Sequence, residues 1–160
     1  MLAVKLVCVG KMREKFFADA FSEYAKRLQG YCRFDLCEIP EQRLSDNPSE
    51  REINAALLKE AAEILKSIPA DAFVTAMCVE GKQFASDGMA KLISDRENSG
   101  KPKLCFIIGG SFGLHDSVKA RADLKLSMSE MTFPHHLARV MLAEQIYRGF
   151  KINEGSRYHK

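Results

Sequence analysis

His135 and His159 are the groups in this chain best suited to accepting a proton near neutral pH, because imidazole alone has an ordinary pKa in that range. His135 follows Pro134 at a helix start, where the helix partial charge opposes a cationic ring. His159 is the penultimate residue. Each has a plainer reading: a polar residue at a helix start for His135 and His136, and a frayed terminus for His159. Adjacent helical positions point about 100° apart, so His135 and His136 do not converge on one site, and metal binding by the pair is not expected.

The stretch leading to His135, Leu126-Ser127-Met128-Ser129-Glu130-Met131-Thr132-Phe133-Pro134, follows a strand and supplies hydroxyls and backbone amides. It ends on a proline pre-set for the first helical turn. Earlier, Ile107-Ile108-Gly109-Gly110-Ser111-Phe112-Gly113-Leu114 places glycines directly after a buried strand, where backbone can approach a ligand. A tight strand-to-helix turn explains Gly109 and Gly110 by itself. With Met77-Cys78-Val79-Glu80-Gly81, however, these two loops form a set able to cradle an adenosine. The ordinary nucleotide motifs are missing. Val9-Gly10-Lys11-Met12-Arg13 after the first strand lacks the GxGxxG pattern, and the Gly-Lys pairs at Gly10, Gly81 and Gly100 are followed by Met, Gln and Pro, never Ser or Thr.

These loops need a scaffold, and the hydrophobic pattern supplies one. Strands are expected over Leu2 to Val9, Arg33 to Ile39, Ala72 to Val79 (closing at Glu80-Gly81), Lys103 to Ile108 and near Leu124 to Met128. Helices are expected over Glu14 to Gln29, Glu50 to Ser67, Ala85 to Asn98, His115 to Arg121 and Pro134 to about Phe150. The alternation argues for one α/β domain, residues 1–160, with a parallel sheet flanked by helices and ligands bound beyond the carboxyl ends of the strands. On the last helix, Leu137, Val140, Met141, Glu144 and Tyr147 share a stripe, so Glu144 lies on an otherwise apolar face and needs a partner.

Composition narrows the class. The chain has 160 residues, 46% hydrophobic and 28% charged, within the range of one globular domain. Its apolar start is broken by Lys5, and no run reaches the roughly 20 residues of a membrane span, so a cytoplasmic protein is expected. Five cysteines without CxxC spacing read as reduced core residues. From Arg148 to Lys160, four basic residues face only Glu154, so this segment carries the whole formal charge of +3. Such a tail suits phosphate contact, or simply solvent.

Taken together, Gly10-Lys11, Glu80-Gly81, Ile108-Gly109-Gly110 with Gly113, Ser127 to His135, Arg139, Glu144-Gln145, Tyr147-Arg148 and terminal Tyr158-His159-Lys160 resemble the RlmH family of SPOUT methyltransferases, in the same order and spacing across essentially the whole chain. Arg157 departs from the proline that many relatives carry before Tyr-His, which bears on the rigidity of the tail. The resemblance implies an α/β fold with a carboxyl-terminal trefoil knot and S-adenosyl-L-methionine as cofactor. It also implies transfer to N3 of a pseudouridine in large-subunit ribosomal RNA, at position 1915, with that RNA met within the ribosome. By resemblance the cofactor is held by Met77, Gly110 and the loop Ser129, Glu130, Met131, Thr132, Phe133 and Pro134, and the RNA by Arg148, Tyr158, His159 and Lys160, with residues 151–160 as a substrate-contacting tail. A homodimer follows in which the tail of one subunit completes the site of the other. N3 carries an imide proton that must leave before the nitrogen becomes a good nucleophile, which is where His135 or His159 would act. A non-catalytic RNA- or ribosome-binding module and a flavodoxin-like nucleotide enzyme are the alternatives.

Overall fold

The computed structural model describes residues 1–160. Five strands and five helices alternate: β1 (Ala3–Val9), α1 (Lys15–Leu28), β2 (Arg33–Ile39), α2 (Glu50–Ser67), β3 (Phe73–Gln83), α3 (Ser86–Glu97), β4 (Lys103–Ile108), α4 (Asp116–Arg121), β5 (Leu124–Ser127) and α5 (His135–Asn153). All strand pairs are parallel, in the order β2-β1-β4-β3-β5. Every carboxyl end therefore opens on the same edge, where the loops after β1, β3, β4 and β5 meet.

The central strands β1 and β4 are apolar except at Lys5 and Lys103 because both faces are covered. Val4, Leu6, Cys8, Leu104, Phe106 and Ile108 enter one core with residues of α1, α3 and α5, whereas Val7, Val9, Cys105 and Ile107 enter a second with residues of α2 and α4. The helices start and stop for local reasons. Ser49 Oγ accepts the Glu52 N–H at 3.2 Å and donates to the Glu52 carboxylate, capping α2, and Ile68-Pro69 ends it. Close packing of α5 on α3 depends on Gly149, where a Cβ would lie 2.6 Å from Ile93 Cδ1.

Two expectations change. β3 does not close at Glu80-Gly81 but runs to Gln83, with its register against β5 shifting between Met77 and Lys82. Pairing resumes at Lys82 with Leu126, which brings Gly81 against β5: a Cβ there would lie 2.7 Å from Leu126 backbone. The second concerns α5, whose buried face is Arg139, Leu142, Ala143, Ile146, Gly149 and Phe150, leaving Leu137, Val140, Met141, Glu144 and Tyr147 as a half-buried stripe. The cysteines are all free, and burial raises the thiols of Cys8, Cys32 and Cys105 to about 12, keeping them protonated. No helix is long and apolar enough to cross a membrane.

Candidate active site

The loops after β3, β4 and β5 enclose a cavity of about 700 Å³, within the size range of small-molecule sites. Met77, Gly110, Ser129, Met131, Thr132, Phe133, Pro134 and His135 all line it, so the structure brings together every expected cavity residue except Glu130. The β5–α5 loop is shaped by its own hydroxyls: Ser127 Oγ donates to the Ser129 carbonyl at 3.0 Å, and Ser129 Oγ accepts the Met131 N–H at 3.0 Å. Across the cavity the β4–α4 loop folds tightly. The Gly113 N–H reaches the Gly110 carbonyl at 3.1 Å, Gly113 has φ +79°, and a Cβ on Gly109 would overlap the Gly113 carbonyl. The stricter glycine is thus Gly109. A Cβ on Gly110 would meet the Glu41 carboxylate at 3.3 Å and Val9 at 3.6 Å, where a flexible side chain can yield.

Three of the seven large hydrophobic side chains exposed on the molecule, Val79, Phe112 and Met131, line this one cavity. Apolar groups gathered at an opening mark a binding site more often than scattered ones do. His135 sits at the edge with Nε2 buried and without a hydrogen-bond partner in the chain. Burial, followed by the neighbouring His136, lowers its pKa below the ordinary imidazole value, with Glu41 opposing. His136 turns away and bonds Glu14 through Nδ1 at 2.8 Å. The two rings still touch, with centroids 4.2 Å apart, although they serve different neighbours.

The family model described as Predicted SPOUT methyltransferase matches residues 2–159. The chain belongs to the SPOUT methyltransferase family. Curated relatives span its full length: it is 48% identical over 157 residues to Ribosomal RNA large subunit methyltransferase H of Clostridium beijerinckii, covering 98% of this chain and 99% of the relative. It is 45% identical over 159 residues to the protein of that name in Streptococcus pyogenes, covering 99% and 100%. These relatives place it in the RlmH branch of the family. Among solved structures, a probable methylase family protein from Haemophilus influenzae superposes with a TM-score of 0.54 at 14% identity, over 100% of this chain and 72% of that one. The tRNA (m1G37) methyltransferase from Aquifex aeolicus gives 0.54 at 12%, over 91% and 69%. At these identities the likeness is one of fold.

In this SPOUT methyltransferase the remaining expected residues, Arg148, Tyr158, His159 and Lys160, are not in the cavity. Arg148 is on α5 itself, and Tyr158 and His159 fold back against it. Arg148 donates to Glu144 from Nε at 2.9 Å and Nη2 at 2.6 Å, and its guanidinium lies 4.8 Å from the Tyr158 ring centre. Tyr158 donates its hydroxyl to Glu144 at 3.1 Å, and burial, reinforced by that carboxylate, raises its phenol to about 12. The partner that Glu144 requires is therefore within the same chain. His159 Nδ1 lies 3.2 Å from Arg148 Nη1, and because a guanidinium only donates, Nδ1 is the acceptor in this arrangement. The tail is also less free in charge than its count suggests, since Arg148 pairs with Glu144, outside the counted segment, in addition to the Lys151–Glu154 pair within it.

One residue that carries this site has a role not visible in the sequence. Arg139 is 1% exposed, although it is a charged residue on a helix. It donates to Glu38 at 2.8 Å from Nη1 and to the Gly10 carbonyl at 3.0 Å from Nη2. It thus ties α5, one turn after His135, to the carboxyl ends of β1 and β2.

Proposed function

We propose that this chain is an S-adenosylmethionine-dependent methyltransferase acting on N3 of a pseudouridine in large-subunit ribosomal RNA, in the cytoplasm and as a homodimer. The observation that carries the reading is the apolar-rimmed cavity built by three loops at the carboxyl edge of the sheet. The names of the full-length relatives support ribosomal RNA as substrate, and the family supports the trefoil knot.

The residues fit the cofactor. Gly109 and Gly110 line the wall in a turn too tight for a side chain at Gly109, Met77 and Met131 offer polarisable thioethers, and the Ser129–Pro134 loop lines the opposite side. When bound, S-adenosylmethionine supplies an electrophilic methyl on a sulfonium. The chain must exclude water, hold the uracil-like ring and accept the N3 proton. His135 at the cavity edge is the proposed acceptor: burial keeps its ring neutral, and a turn that brings the partnerless, buried Nε2 to the cavity would present it to the N3 proton. His159 as found here has its Nδ1 engaged by Arg148, so its part is contact rather than proton removal. Within one chain the tail lies outside the cavity, so the composite arrangement needs the tail of a second copy.

Titration with S-adenosylmethionine, beside incorporation of labelled methyl into ribosomes lacking the modification, tests the reading. Cofactor binding without transfer would leave an RNA-binding module. Gly109→Ala is expected to weaken cofactor binding by roughly tenfold or more, because its Cβ forces the β4–α4 loop open, while Gly110→Ala has a smaller effect. Wild-type affinity in both variants would show that this loop does not hold the cofactor. Sedimentation at micromolar concentration is expected to give a dimer through α5, whose half-buried stripe is available to a second copy. A fully active monomer would rule that out.

A further inference from the structure

The Gly110–Phe112 segment has a second side. It also walls a groove of about 790 Å³, formed with the Gly10–Arg13 loop, residues Glu38–Ser45 and the α2 residues Ala56, Leu57 and Glu60. Lys11, Arg13 and Arg43 line this groove, are exposed, and make no ion pair or side-chain hydrogen bond. Its carboxylates are largely committed: Glu38 is held by Arg139, and buried Glu60 accepts the Gln42 N–H at 2.9 Å, leaving Glu41. At the junction with the methyl-transfer cavity stands Phe112, 51% exposed and lining both. The groove therefore offers three uncommitted cations, whereas in the tail Arg148 and Lys151 are already paired.

Uncommitted cations along a groove track a phosphate backbone, and an exposed aromatic ring at its end stacks an unpaired base. We propose that this groove holds the RNA strand flanking the target nucleotide, with a neighbouring base on Phe112 and phosphates on Lys11, Arg13 and Arg43. The inference rests on the methyl-transfer reading and adds a substrate subsite that meets the cofactor cavity only along Gly110–Phe112 and lies apart from the tail. It explains why Phe112 remains exposed: the ring is a platform between the strand and the reacting nucleotide.

The test uses the intact protein and ribosomes lacking the modification, with S-adenosylmethionine affinity measured on every variant. Phe112→Leu, at a ring that also rims the cofactor cavity, is expected to raise the KM for ribosomes by roughly tenfold and by more than it weakens S-adenosylmethionine binding, and Phe112→Tyr to recover most of that loss. The triple change Lys11→Gln, Arg13→Gln, Arg43→Gln is expected to raise KM and to flatten its dependence on salt by roughly two in the log–log slope. Unchanged KM in both Phe112→Leu and the triple variant would overturn the proposal. So would a fall in cofactor affinity that accounts for the whole effect of Phe112→Leu. If the wild-type protein transfers no methyl at all, the function reading fails instead, and cosedimentation of the same variants with ribosomes still decides the groove: wild-type binding by the triple variant overturns it, and weakened binding supports it.

Discussion

Removing Tyr158–Lys160 is expected to abolish most methyl transfer, by roughly a hundredfold or more, while leaving cofactor affinity near that of the intact chain. The three residues line no part of the cavity, so cofactor binding has nothing to lose directly. The fold loses the Tyr158–Glu144 hydrogen bond, the contact of Arg148 with the Tyr158 ring and the packing of Tyr158 edge-on against Tyr147. Arg148 still pairs with Glu144 after truncation, so no carboxylate is stranded, and the stability cost should stay near about 1 kcal/mol. Labelled methyl incorporation and cofactor titration on the same truncated protein check both halves. Full transfer would reduce the tail to a solvated end, and loss of cofactor binding would place it in the cavity.

Arg139→Met is expected to cost more stability than any other single change considered for this chain, about 3 kcal/mol. The guanidinium is buried, and its loss leaves the Gly10 carbonyl without that donor and Glu38 without its cation. Glu38 keeps the Met12 N–H at 3.2 Å and some solvent, which holds the cost at the lower end for a broken buried pair. Adding Glu38→Gln should recover part of the loss, because a neutral amide tolerates the site without a cation. Thermal unfolding checks this, with a fall of roughly 6–12 °C for the single variant in a domain of this size. A shift within 2 °C would mean that Arg139 is dispensable for holding α5 to the sheet.

Local pattern made the scaffold and much of the cavity legible. Apolar runs of strand length ending at Gly10 and Gly109 located β1 and β4, and the Ser129–Phe133 stretch, wedged between a strand and Pro134, read as a loop. The continuation of β3 was hidden because Glu80 and Lys82 are polar and the pairing shifts around them, a tertiary match to β5 with no periodic signature. Arg139 was hidden for a related reason: its partner Glu38 lies 101 residues away, and nothing near Arg139 marks it as buried. In the tail, the charge count had already set Glu154 against the four cations, but not Glu144, which lies four residues before Arg148 at helical spacing and pairs with it.

Met77, Leu126, Ser127 and Met128 form a wall shared by the 700 Å³ cavity and another of about 610 Å³ between β3, α3 and α5, which Glu144 and Gln145 also line. Occupants of the two sides press on the same side chains, two of them unbranched methionines that change rotamer readily. If filling one side alters affinity on the other, thermodynamic reciprocity requires the second occupant to alter the affinity of the first by the same factor. A thin common partition of this kind would link two sites whose ligands never touch each other, through the side chains that both would meet.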